Sequence, residues 1–175
     1  SDSLQIAAQY QSMEHPAADH AKAVMQVAVA GTGVRLSDGS THSLPTGSEQ
    51  QKLAAWRLHA RLVRRSLERG YYQGWDLHAH QLPTRYLATY FFYREGFPAA
   101  ALRLKNYVHG IESEIMDEPA TARALARFVH RGVLCGAISG EELEESAGIG
   151  EHELFSLAHP KAAAPAASTT GGDFR

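Results

Sequence analysis

Only two stretches of this 175-residue chain read as β-strands, about 33 to 37 and 71 to 78, and a helix over 49–69 lies between them. Strand, helix, strand is the unit of a parallel sheet, and such a unit needs further strands beside it before both of its faces are buried. Two strands are too few. The chain is therefore expected to be either a helical domain with a small sheet, or the C-terminal part of a larger alternating barrel whose earlier strands lie outside it.

The second strand carries more polar content than a purely structural strand would. The run Gly70-Tyr-Tyr-Gln-Gly-Trp-Asp-Leu-His-Ala-His-Gln-Leu82 starts at a helix-ending glycine and is closed by Pro83, with Tyr71, Tyr72, Trp75 and Leu77 supplying strand-favouring bulk. Gln73, Asp76, His78 and His80 crowd into the same stretch. Asp76, His78 and His80 are two apart, so an extended backbone points all three to one face. A carboxylate and two imidazoles there suit a metal, a proton transfer or an anionic substrate. The alternative is that Asp76 bonds the following loop while the histidines stand in solvent.

Composition narrows the partners. With 44% hydrophobic residues the chain can bury a core, and a net charge of −2 does not mark it as a nucleic-acid or membrane binder. The single cysteine, Cys135, has no internal partner, which suits a reducing cytoplasm and a free thiol. The first residues carry no basic segment followed by an apolar core, and no apolar run reaches membrane-spanning length, so a soluble, cytoplasmic protein without an export signal is expected.

The helices are more sharply drawn than the strands. Pro16 opens a helix over 17–30 whose alanines and valines predict a largely buried element, with Asp19, His20 and Lys22 near its start. Ser48-Glu-Gln-Gln51 is a capping-box pattern, and Leu53, Trp56, Ala60, Val63 and Leu67 then recur at three- and four-residue steps until Gly70. Arg57, Arg61, Arg64, Arg65 and Arg69 lie opposite that stripe and read as a solvated face. An aromatic-rich helix over 83–95 is expected to stop at Gly96, and another to start at Pro98. Asp117 is expected to cap a helix over 118–129, and Ser139-Gly-Glu-Glu142 opens a short acidic one, with Leu154 and Phe155 making a later apolar contact. The glycines at 31 and 33 resemble part of a phosphate loop, but the full spacing and a lysine-serine pair are missing, so the turn through Ser37, Asp38, Ser40 and Thr41 reads first as a solvated loop through Pro45 and Gly47, with the lining of a pocket as the alternative. From His159 onward the chain is low-complexity and reads as disordered.

Residues 60–86, with Gly70 to Gln81 at their centre, resemble the closing strand and following helix of a branch of the HpcH/HpaI aldolase and citrate lyase family. The runs from His15 to Ala28 and Gly33 to Ser40 resemble the preceding helix and strand, and Met116-Asp-Glu-Pro-Ala-Thr-Ala-Arg-Ala-Leu125 extends the likeness to roughly residues 3–135. The resemblance implies an α/β fold: the C-terminal part of a helix-rich (β/α)8 TIM-type barrel over 1–96, extra C-terminal helices over 97–158 and a disordered tail over 159–175. It implies a lyase that makes or breaks a carbon–carbon bond on a 2-oxo acid or enolate held by Mg2+. A bound cation stabilises the enolate, the costly charge in such a reaction. Barrel sites lie at the C-terminal ends of strands, which points to Asp76 and His78 as catalytic and to Ser37, Asp38 and Gln73 as substrate-binding. No metal ligand is assigned, because the family's metal-binding carboxylates fall on strands that would precede residue 1. The chain also has His78-Ala79 where the family often has His-Pro. A homo-oligomer is expected from the exposed apolar surface of a partial barrel. A non-catalytic helical interaction module derived from the same scaffold is the competing expectation.

Overall fold

The computed structural model describes residues 5–39, 41–111 and 117–160. Among these the protein is mostly helical, with six α-helices and one two-stranded parallel sheet, and no barrel. The order is α1 (Pro16–Val29), β1 (Ser37–Asp38), α2 (Glu49–Glu68), β2 (Gln73–Gly74), α3 (Leu82–His109), α4 (Pro119–Leu134), α5 (Gly140–Ala147) and α6 (Glu151–Ala158). The chain divides into two compact units, one up to Phe92 and one from Tyr93. Leu4, Ser40, Met116 and the low-complexity tail beyond Pro160 lie outside the described residues.

In the first unit α2 is fixed at both ends by its own sequence. Gln51 N donates to Ser48 Oγ at 3.3 Å and Ser48 N donates to Gln51 Oε1 at 2.8 Å, the reciprocal bonds of a capping box. Gly70, at φ +82°, turns the chain out of the helix, and Tyr71 N returns to Ser66 O at 2.9 Å. The buried residues of α2 are Ala55, His59, Val63 and Leu67. This stripe at strict four-residue steps is displaced from the expected one, and Leu53 stays 41% exposed.

Both strands are far shorter than expected. Ser37 pairs with Gln73 and Asp38 with Gly74 in parallel register, and nothing more is paired. Gly31 and Gly33, at φ +77° and +81°, hold the chain before β1 out of extended geometry. After β2 the side chain of Gln81 intervenes. Its Oε1 accepts from Leu77 N at 2.8 Å and His78 N at 3.2 Å, folding the segment into the 3-10 turn Ala79–Gln81. Asp76, His78 and His80 therefore do not share one strand face. The helix expected to be largely buried, α1, has no buried residue, and Val24, Met25 and Val27 are exposed. Its attachment is polar, through Asp19 and Lys22.

The second unit has the drier core. Leu104, Val129, Leu143 and Leu154 are fully buried, Ser139 and Glu142 form the expected capping box of α5, and Gly148 ends that helix at φ +70°. The expected break at Gly96 to Pro98 is absent: α3 runs straight through it. A proline inside a helix forfeits one N–H bond, but Phe97, Ala100, Ala101 and Leu104 bury on that turn. Gly96 is also needed bare, since a Cβ there would lie 2.6 Å from Phe128 Cζ. Packing outweighs the local preference. Asp117 does not cap α4; it pairs with Arg103, and Glu118 takes the N-cap position without a side-chain bond.

Leu154→Ala is expected to destabilise the protein by about 2–5 kcal/mol, because a fully buried leucine leaves a cavity. Leu134→Ala, at a position 72% exposed, should stay within about 0.5 kcal/mol. Urea unfolding followed by circular dichroism measures both.

Candidate functional site

The parallel register sets the carboxyl ends of β1 and β2 side by side, the end of a parallel sheet outside which ligands bind. Asp38 closes β1, and Asp76 follows β2 by two residues. Asp38 is buried and Asp76 nearly so, and each has its own set of partners.

Asp38 is 5% exposed. Its Oδ2 accepts from Lys22 Nζ on α1 at 2.7 Å and from Ser66 Oγ on α2 at 2.5 Å, while Gly39 N donates to Oδ1 at 2.8 Å. Burial opposes its ionisation, but these donors together outweigh burial and hold the carboxyl below its ordinary range. Tyr71 OH donates to Lys22 O at 2.9 Å, and burial, with the Asp38 charge, pushes that phenol up.

Asp76 is bound more completely. Its Oδ1 contacts His59 Nε2 and Arg85 Nη2, both at 2.8 Å, and Oδ2 accepts from Arg85 Nε at 3.2 Å. Burial again opposes ionisation, and Arg85 and His59 reverse the balance, so the carboxyl lies below its ordinary range. Gly74 is required beneath Arg85: a Cβ there would sit 2.9 Å from both terminal guanidinium nitrogens. His59 is 2% exposed, and burial pushes its imidazole down against the pull of Asp76. An ionised carboxylate only accepts, so neutral His59 carries its proton on Nε2 and Nδ1 accepts from Thr84 Oγ1 at 2.8 Å. Thr84 Oγ1 also lies 3.0 Å from Gln81 O. Protonating His59 would turn the hydroxyl proton to that carbonyl.

Between these two sets lies a cavity of about 20 Å³ lined by Lys22, Asp38, His59, Ser66, Tyr71 and Arg85, room for a single water. At its edge Asp19 of α1 holds Arg65 through two bonds of 2.8 and 2.7 Å and Arg69 at 2.5 Å. Hydrogen bonds from Arg65, then Arg69, hold the Asp19 carboxyl far below its ordinary range. Part of the arginine face expected to be solvated is thus the clamp between α2 and α1.

Of the residues singled out by sequence, Asp38 lines the cavity, and Asp76 stands behind it through His59 and Arg85. Ser37 and Gln73 face each other across the register and are exposed. His78 caps the 3-10 turn, its Nδ1 accepting from His80 N at 3.1 Å, and packs edge-on against the His80 ring. The imidazole on Asp76 is His59, which sequence reasoning passed over along with Ser66 and Arg85. No sequence signal marked His59, because the expected stripe through Leu53, Trp56, Ala60, Val63 and Leu67 passes it by. Mg2+ does not fit these residues. Among the described residues no three His, Cys, Asp or Glu side chains converge, and Asp38 and Asp76 each already face a cation.

A family model described as "Domain of unknown function (DUF6986)" matches residues 1–162. This corrects the resemblance to the HpcH/HpaI aldolase and citrate lyase family, since the model that covers the chain is that of a different family, one without a stated activity. No curated protein and no solved structure matches the chain.

The lowered imidazole sets a pH dependence. Unfolded His59 takes up its proton as pH falls through its ordinary 6.5, while the folded group resists, so stability falls with pH below that value. His59→Gln should flatten the profile between about pH 5 and 7 relative to wild type. Urea midpoints measured at half-unit pH steps check this.

Proposed function

The chain belongs to the DUF6986 family, and we propose that its first unit binds a small carboxylate of the 2-oxo acid class at the carboxyl ends of β1 and β2. The observation that carries this reading is the presence of two partly buried cations, Lys22 and Arg85, beside one water-sized cavity, each fixed by an aspartate. Arg85 spends Nε and Nη2 on Asp76. A guanidinium has further N–H donors, and a fork held rigid by one carboxylate is ordered in advance for a second. His59 is a positioning residue, since both of its nitrogens are engaged and it orients Asp76.

The reaction we attach to this site is carbon–carbon bond cleavage or formation on that acid. Breaking the C3–C4 bond of a 4-hydroxy-2-oxo acid releases C4 as an aldehyde, its hydroxyl proton passing to water, and leaves the electron pair on C3 as the enolate of the C2 carbonyl, which Lys22 and Arg85 are best placed to stabilise. The β1–α2–β2 unit is, on this reading, one repeat of a larger alternating sheet. Its parallel pairing across a single helix supports that.

Titration calorimetry with pyruvate is expected to show saturable binding that Arg85→Ala weakens at least tenfold, in line with about 1.5–3 kcal/mol for a hydrogen bond to a charged group. Absence of pyruvate binding by the wild-type chain would remove the reading. Equal binding by Arg85→Ala would move the site elsewhere.

Self-association is a further part of the proposal. Leu82, Tyr86, Leu87, Tyr90 and Phe91 form an exposed stripe on α3, between 38% and 63% exposed. At roughly 100 Å² each, two such stripes would bury on the order of 1,000 Å², the lower bound of a specific interface. Light scattering should give a dimer mass that falls to the monomer in Tyr86→Asp/Phe91→Asp. A monomer for the wild-type chain would refute self-association.

A further inference from the structure

We propose that α6 is held on α4 by a proton-sensitive latch made of His130, Phe155 and His159, and that mild acid releases α6 while the rest of the second unit stays folded. Three rings meet pairwise across the contact of the two helices. The His130 ring on α4 lies 5.6 Å from that of Phe155 and 5.3 Å from that of His159, centroid to centroid, with the planes at 70° and 71°. Phe155 and His159 are themselves 5.1 Å apart. They stand four residues apart at the end of α6, so both reach the same residue of α4. Rings set edge to face at these spacings attract one another.

Arginines flank the latch. Arg127 on α4 donates from Nε to Ala158 O at 2.9 Å, closing the end of α6, and Arg131 follows His130 directly, with its Nη1 on Arg127 O at 3.3 Å. Glu151, at the start of α6, is the acid whose charge reaches His130. Burial, then Arg131, push the His130 imidazole below its ordinary 6.5, and Glu151 offsets only part of that. A proton on His130 therefore puts a cation beside Arg131 in a half-buried site, whereas the same proton is solvated once α6 has left. The released state takes up the proton first, so the attachment is complete above pH 6.5 and weakens as pH falls below it.

The helix has little else to hold it. It is eight residues long, too short to persist alone in water, and its N-cap, Gly150, makes no side-chain bond. Of its residues only Leu154 and Ala158 are buried. The neighbouring α5 keeps its capping box, which no proton in this range disturbs. Release turns Leu154 and the α4 surface beneath it out to water, an apolar patch presented only in acid.

Hydrogen exchange read by mass spectrometry on the full chain at pH 7.5, 6.5 and 5.5, corrected for intrinsic rates, tests this. Protection of residues 152–158 is expected to fall about tenfold from pH 7.5 to 5.5, the degree to which a free imidazole takes up its proton over that span, with the stretch of α3 from Phe97 to Leu104 unchanged. His130→Phe keeps a ring and removes the proton site, so the fall should shrink to less than about twofold. His130→Gln gives the same comparison if the larger ring packs poorly. A loss of protection shared equally by α3 would show unfolding of the whole unit and overturn the proposal. So would equal pH dependence in the wild type and both variants, or wild-type α6 protection that does not change with pH.

Discussion

Two carboxylates, Asp38 at the end of β1 and Asp76 just beyond β2, hold the first unit in its arrangement. Two registered residue pairs between β1 and β2 are too short a ladder to fix the elements around them. Asp38 joins α1 through Lys22 to α2 through Ser66, and Asp76 joins α2 through His59 to α3 through Arg85. Such pairs add little net stability against well-packed apolar replacements of the same volume, yet losing one partner strands a buried charge at a cost of about 3–5 kcal/mol. They dictate one geometry more than they lower its energy. That accounts for α1, which holds its place without a buried residue.

The second unit is built the opposite way. Leu104, Val129, Leu143 and Leu154 are sealed from water, and its Arg94–Glu142 pair sits at the surface, where it contributes little. One unit is organised by charge at a strand end and the other by apolar burial. Polar constellations that do not strengthen a core are where binding and chemistry are usually found.

The helices were largely legible because their signals are local. Ser48 with Gln51, Ser139 with Glu142, and the glycine at 70 set their ends through local bonds, and all of these formed. Two of the misreadings have a tertiary cause. Gly96 and Pro98 look like a stop until Phe128 is known to press against Gly96. Asp117 looks like a cap until Arg103 reaches it. The strands looked long because Tyr71, Trp75 and Leu77 favour extended backbone, whereas the Gln81 side chain captures the amides that a longer ladder would have used. In the site, Asp38 and Asp76 were readable as acids in turn-rich sequence. His59, 17 residues before Asp76, was not, because only the folded helix shows that its position belongs to the buried stripe.

The charges around the cavity argue for an anion more than for a cation. Asp38 and Asp76 are matched by Lys22 and Arg85, His59 is held neutral by burial, and Asp19 is shared between Arg65 and Arg69. Two arginines on one aspartate leave an excess of positive charge at the cavity edge. A metal ion would have to displace Lys22 or Arg85 from its carboxylate, trading a formed, partly desolvated pair for a site with too few donors. A carboxylate needs no such displacement, because it can meet the donors of Arg85 that Asp76 leaves unused. The preference follows from the arrangement of fixed charges, and it would invert if Arg85 were neutral.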